Sequence, residues 1–76
     1  TNIRFNVPVE SKVELSIYNI KGQKVRTLCK EILPLGNHEY IWEGKNNANN
    51  AVASGIYFIR LDNGVKTKVR KILLLK

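Results

Sequence analysis

The sequence predicts an all-β domain, an antiparallel sandwich of six to seven short strands. Three observations lead there. Apolar and polar residues alternate with period two, no stretch holds a helical period for three turns, and Gly, Pro and Asn punctuate the runs. Ile3, Phe5 and Val7 alternate with Asn2, Arg4 and Asn6 until Pro8, which has no amide hydrogen for a ladder, ends the pairing. Val13, Leu15 and Ile17 alternate with Lys12, Glu14 and Ser16 as a second half-buried strand. Asn19-Ile20-Lys21-Gly22 reads as a turn in which Gly22 supplies the positive φ. Gln23 to Leu33 reads as a third strand, but Val25, Leu28, Ile32 and Leu33 break the alternation, which predicts a bulge or a change of sheet near Thr27.

Pro34-Leu35-Gly36-Asn37 is the next turn. His38, Tyr40 and Trp42 then share the core face of a fourth strand, with Glu39, Ile41 and Glu43 opposite. Gly44 to Gly55 is the long loop and carries Asn46, Asn47, Asn49 and Asn50. Ile56 to Leu61 is apolar on both faces, as a central strand would be. Asp62-Asn63-Gly64 is a hairpin signal, since Asn-Gly fits a type I′ turn, and Val65 to Leu75 is the return strand. The pattern is that of an immunoglobulin-like sandwich without the Cys-Trp-Cys spacing of antibody domains.

Composition narrows the function classes. A chain of 76 residues is one domain, and it buries only about 60–65% of its unfolded surface, leaving little room for both a core and a deep catalytic cleft. Thirteen Lys and Arg against six Asp and Glu give a net charge of +7, compatible with anionic partners or with a plain solvated basic surface. The single cysteine, Cys29, excludes an internal disulfide and a thiolate zinc cage. The longest apolar run, Ile72 to Leu75, is far short of a membrane helix, and no signal peptide is visible. Opening on Thr1, the chain reads as an excised domain or processed fragment of a larger secreted protein.

Candidate chemistry is sparse. His38 is the only histidine, so a multi-histidine metal site is excluded, and its neighbours Tyr40 and Trp42 make it a packed or edge residue. Ser11, Ser16, Thr27, Ser54 and Thr67 have no nucleophile-elbow context and no evident base. Cys29 has Lys30 beside it, but a half-buried structural thiol is the simpler reading. The asparagines from Asn46 to Asn50 offer oxygen ligands for calcium, yet the cluster contains no carboxylate, and asparagine suits loop turns for its own reasons. Trp42, Tyr40, Tyr18 and Tyr57 could form an aromatic platform for sugars or bases, although two of them lie on the presumed core face. No nucleic-acid signature is present. No enzyme activity, metal or cofactor is expected.

The C-terminal strand is the most unusual segment. If Lys66, Lys68 and Arg70 face outward, Leu73 and Leu75 continue an inward row from Val69, and Ile72 and Leu74 face solvent beside the cations. A bulge at Lys71, or a cover supplied by the rest of the parent protein, would serve equally.

These residues resemble a bacterial immunoglobulin-like family. Val13-Glu14-Leu15-Ser16-Ile17-Tyr18-Asn19 with Gly22 and Val25 is similar to its V-x-L-x-I-Y-D/N-x-x-G-x-x-V stretch. Gly36, His38, Trp42 and Gly44 match G-x-H-x-x-x-W-D/N-G, with Glu43 where Asp or Asn is usual. Val52-Ala53-Ser54-Gly55-Ile56-Tyr57-Phe58 matches V/L-A/P-S-G-V/I-Y-F/Y, and Asn49 stands where a loop glycine is usual. The N-P-F/N-P segment that commonly precedes T-x-I-x-F is absent.

Two related groups share this pattern: the C-terminal sorting domain of type IX (Por) secretion substrates in Bacteroidetes and their relatives, and the immunoglobulin-like domain of the flagellar hook-capping protein. Lys71-Ile72-Leu73-Leu74-Leu75-Lys76 is similar to the K-x-x-L-L-K ending of the first group. That resemblance implies a non-catalytic tag at the C-terminus of secreted enzymes and adhesins. Its partners would be the outer-membrane translocation and surface-attachment machinery and the N-terminal cargo domains, and its location would be the cell surface or medium. The expected docking surface is Lys66, Lys68, Arg70, Lys71, Ile72, Leu73, Leu74, Leu75 and Lys76, by strand addition to a receptor edge. Tyr18, Gly22, Gly36, His38, Trp42, Gly44, Ser54, Gly55 and Tyr57 are the structural signature. The alternatives are a carbohydrate- or surface-binding accessory domain of a secreted hydrolase, and a structural spacer.

Overall fold

The alternating runs become six strands in a computed structural model that describes residues 1–76: β1 (Asn2–Val7), β2 (Ser11–Asn19), β3 (Lys24–Leu33), β4 (Gly36–Ile41), β5 (Gly55–Asp62) and β6 (Thr67–Leu74). They form two antiparallel sheets, β1-β4 and β3-β2-β5-β6. The inward row of each strand meets between them. Ile3, Val7 and Trp42 from the small sheet pack on Val13, Leu15, Ile17, Cys29, Leu33, Tyr57 and Ile59 from the large one. Burial of these apolar side chains is the dominant favourable contribution to so small a fold.

The irregularity expected near Thr27 is real. The β2–β3 register slips between Leu15 and Ser16 and again between Ile17 and Tyr18, leaving Leu28 and Val25 as the extra residues on β3. Both extra side chains pack against the core, which is why the alternation fails there. Bulges free backbone groups, and the asparagine loop takes them up: Asn47 donates its amide to the Val25 carbonyl, and its Oδ1 accepts from Thr27. Asn46 Oδ1 accepts from the amides of Ala48 and Asn50, while its carbonyl accepts from Arg26. Asn49 adopts φ 65°, the left-handed turn conformation that asparagine tolerates. The cluster thus acts as a clamp on the outer edge of β3.

The β5–β6 connection departs from the expected type I′ turn. That turn needs positive φ at both Asn63 and Gly64, and only Gly64 has it, at φ 86°. Asn63 instead accepts the amides of Val65 and Lys66 on its side-chain oxygen, and its own amide donates to the Lys66 carbonyl. The side chain replaces the backbone acceptor, so the connection spans Asn63 to Lys66.

The facing of β6 also reverses expectation. It pairs with β5 without a slip, placing Lys68 opposite Leu61, Arg70 opposite Ile59, Ile72 opposite Tyr57 and Leu74 opposite Gly55. Directly opposed residues share a face, so Lys68, Arg70, Ile72 and Leu74 point inward while Val69, Lys71, Leu73 and Leu75 point out. Ile72 and Leu74 pack against the core, and Val69, Leu73 and Leu75 are 60–77% exposed. No bulge at Lys71 is needed. The cations can lie on the inner face because the small sheet does not extend over the first half of β6.

Candidate functional site: the C-terminal strand

Signature residues hold the end of β6 in place. Trp42 is 1% exposed, donates its indole Nε1–H to the Lys45 carbonyl at 2.9 Å, and meets Tyr57 edge-on with ring centres 5.0 Å apart. Tyr57 is buried too, and its hydroxyl donates to the Ala53 carbonyl at 2.6 Å, fixing the chain as it enters β5. Gly44, next to Trp42 in the sandwich, has φ 73°, and a Cβ there would sit 3.3 Å from Leu74 Cδ2. The missing side chain is therefore the seat for Leu74. One turn of chain away, Ser54 Oγ accepts the amide of Lys76 at 3.1 Å.

The signature and the ending are one construction. Two elements distant in sequence, Gly44 and Ser54-Gly55, grip the last residues of the last strand. Gly22 and Gly36 serve their own turns at φ 79° and 126°. His38 directs Nε2 at the Pro34 carbonyl, 2.8 Å away, and stacks on Phe5, as expected of an edge histidine. Cys29 is 6% exposed beneath Tyr40, whose hydroxyl is pushed up to about 12 by its polar interaction with the Cys29 thiol first, then by burial and the charge of Glu31. No group of three or more His, Cys, Asp or Glu converges, and no helix is long and apolar enough to cross a membrane.

Of the expected docking residues, Lys71, Leu73 and Leu75 stand together on the outer face. Leu73 lies opposite Ile56 and Lys71 opposite Phe58, which in turn lies opposite Tyr18. The result is a partly apolar surface with a single cation in its row. Ile56, Phe58 and Tyr18 were not expected there; the signal for them was the second apolar parity of β5. Ile72 and Leu74 are anchors rather than contacts, and Lys68 and Arg70 belong to the opposite face.

Comparison with known proteins follows from this geometry. Residues 1–64 match the family described as the FlgD Ig-like domain. The chain belongs to that family. The crystal structure of FlgD from P. aeruginosa superposes on this FlgD Ig-like domain with a TM-score of 0.73 at 25% identity, covering 96% of this chain and 59% of that one. The chain thus spans under two thirds of the protein it resembles. No curated protein sequence matches it significantly. The structural likeness includes most of β6, whereas the family match stops at Gly64, before the basic, leucine-rich ending.

Proposed function

We propose that this FlgD Ig-like domain is a non-catalytic recognition module whose C-terminal strand is read by another protein. Its specific role would be that of a C-terminal secretion signal, directing attached cargo through the type IX system to the cell surface. The observation that carries the reading is the ending Lys71 to Lys76, which resembles that of the sorting branch. It is held ordered from below by Gly44 and Ser54 while Lys71, Leu73 and Leu75 project outward. A signal of this kind needs a stable fold and an exposed strand, and no reacting group. The partners would be the translocation and attachment machinery.

A structural role like that of a flagellar hook-cap domain is the second reading, favoured by the family match and by the likeness to FlgD. A carbohydrate platform draws little support, because Trp42 and Tyr57 are buried.

Secretion of a reporter carrying residues 1–76 at its C-terminus, in a host with type IX machinery, separates these readings. Export of the intact fusion, with periplasmic retention of a Leu73→Glu/Leu75→Glu variant that still folds, supports sorting. Equal retention of both, with the domain folded, refutes it and favours the structural role.

A further inference from the structure

The small sheet covers only part of its partner. β1 pairs with β4 alone, so its other edge is free. Beside that edge the inner face of β5 and β6 lies open as a groove of ≈ 730 Å³. Ile3 and Phe5 form its β1 wall, and Ile59 and Leu61 its floor. Lys66, Lys68 and Arg70 close the far side, and no Asp or Glu lines the groove.

The electrostatics are lopsided. Arg4 on the near wall is paired with Glu39 at 2.6 Å, but Lys66, Lys68 and Arg70 have no carboxylate in ion-pair range. Three like charges at every second position of one chain repel one another, and an anion laid along them would relieve that repulsion. The floor beneath is apolar and the flank is an unpaired row of backbone amides and carbonyls. A simple anion would satisfy the cations and leave both other features unused. An extended peptide satisfies all three together, since its backbone can pair with β1 while its side chains reach the floor and the cations.

We propose that the groove binds an extended acidic segment of a partner protein, added as a strand to the free edge of β1. Its apolar side chains lie on Ile59 and Leu61, and its carboxylates meet Lys66, Lys68 and Arg70. Same-side residues of a strand recur about every 6.4–6.8 Å, which is also the spacing of alternate residues along β6. The six residues of β1 set the length of the added strand at about 20 Å. The site lies on the face of β6 opposite to Leu73 and Leu75, so it stands whether or not the domain is a sorting signal.

The test uses isotope-labelled protein of residues 1–76 and end-blocked hexapeptides in which every position is Val or Glu, with a matching Val/Lys set as control. Binding members of the Val/Glu set should slow amide exchange along β1 and shift Ile59 and Leu61, and their affinity should fall as salt rises. Lys68→Glu/Arg70→Glu should weaken them about tenfold or more and admit the Val/Lys set. Lys68→Ser/Arg70→Ser, with Trp42 fluorescence reporting the fold, guards against a folding defect. The proposal is overturned if no Val/Glu peptide binds, or if inorganic phosphate reproduces the shifts without protection of β1. Shifts confined to Tyr18 and Phe58 on the outer face would overturn it as well.

Discussion

Replacing Gly44 by alanine isolates the contact that fixes the end of β6. Two costs arise. At φ 73° an L-residue sits in the left-handed region, which costs about 1–2 kcal/mol. The new Cβ also meets Leu74 Cδ2 at 3.3 Å and Cδ1 at 3.4 Å, so the leucine must retreat by a few tenths of an ångström. Gly22 is the internal control, because its φ of 79° is nearly the same and nothing lies within 4 Å of the Cβ it would gain. Gly22→Ala therefore carries the backbone cost alone, and Gly44→Ala should exceed it by about 0.5–1 kcal/mol, at or below the bottom of the usual overpacking range of about 1–3 kcal/mol because the contact is only slightly short. At about 4–8 °C per kcal/mol for a domain of this size, Gly44→Ala should lower Tm by about 6–24 °C. Urea unfolding followed by the fluorescence of Trp42, the only tryptophan, gives the comparison. In a Leu74→Ala background the excess over Gly22→Ala should disappear. Equal losses for Gly44→Ala and Gly22→Ala in the parent chain would refute the seating of Leu74 on Gly44.

Four further outcomes can be measured. Ile72→Ser should cost about 1–3 kcal/mol and Leu73→Ser less than about 0.5, because only the former packs on the core; thermal unfolding ranks them. Tyr57→Phe should lose about 0.5–1.5 kcal/mol with the hydrogen bond to Ala53, read from the urea midpoint. The Tyr40 ring resonance should titrate near 12 in the folded domain against about 10 in the unfolded chain, and Cys29→Ala should move the folded value down. Because the folded value is the higher one, the stability from this group is complete below about pH 10 and is lost as pH rises through 12. Cys29, buried in the core, should react with a thiol reagent only as fast as the domain opens, so denaturant should accelerate the reaction in step with unfolding.

Most strands were legible because strand faces are a local property. Ile3, Phe5 and Val7, or Val13, Leu15 and Ile17, each repeat every second residue and turn toward the core as a set. Broken alternation announced one irregularity near Thr27, and the structure resolves it into two register slips on β3. Gly22 was readable as a left-handed position, and Asn49 stood where the resembled family has a loop glycine, because few other residues enter that region without strain. What misled was the turn after β5, where the Asn63 side chain competes with the backbone for the same amides.

The C-terminal strand marks the boundary between the two kinds of information. Its sequence is apolar on both parities, with Val69, Leu73 and Leu75 on one and Ile72 and Leu74 on the other, so alternation cannot say which face is buried. The choice was made by partners far along the chain: the register that sets Ile72 opposite Tyr57, the cavity over Gly44 that admits Leu74, and the Ser54 hydroxyl that holds Lys76. By itself, then, the sequence determined an immunoglobulin-like sandwich with a basic, leucine-rich ending. Only the tertiary structure decided which leucines anchor that ending, which are displayed, and that Lys68 and Arg70 overlook an open groove. A one-residue shift in register reverses every side chain of a strand, and register is a property of the pair.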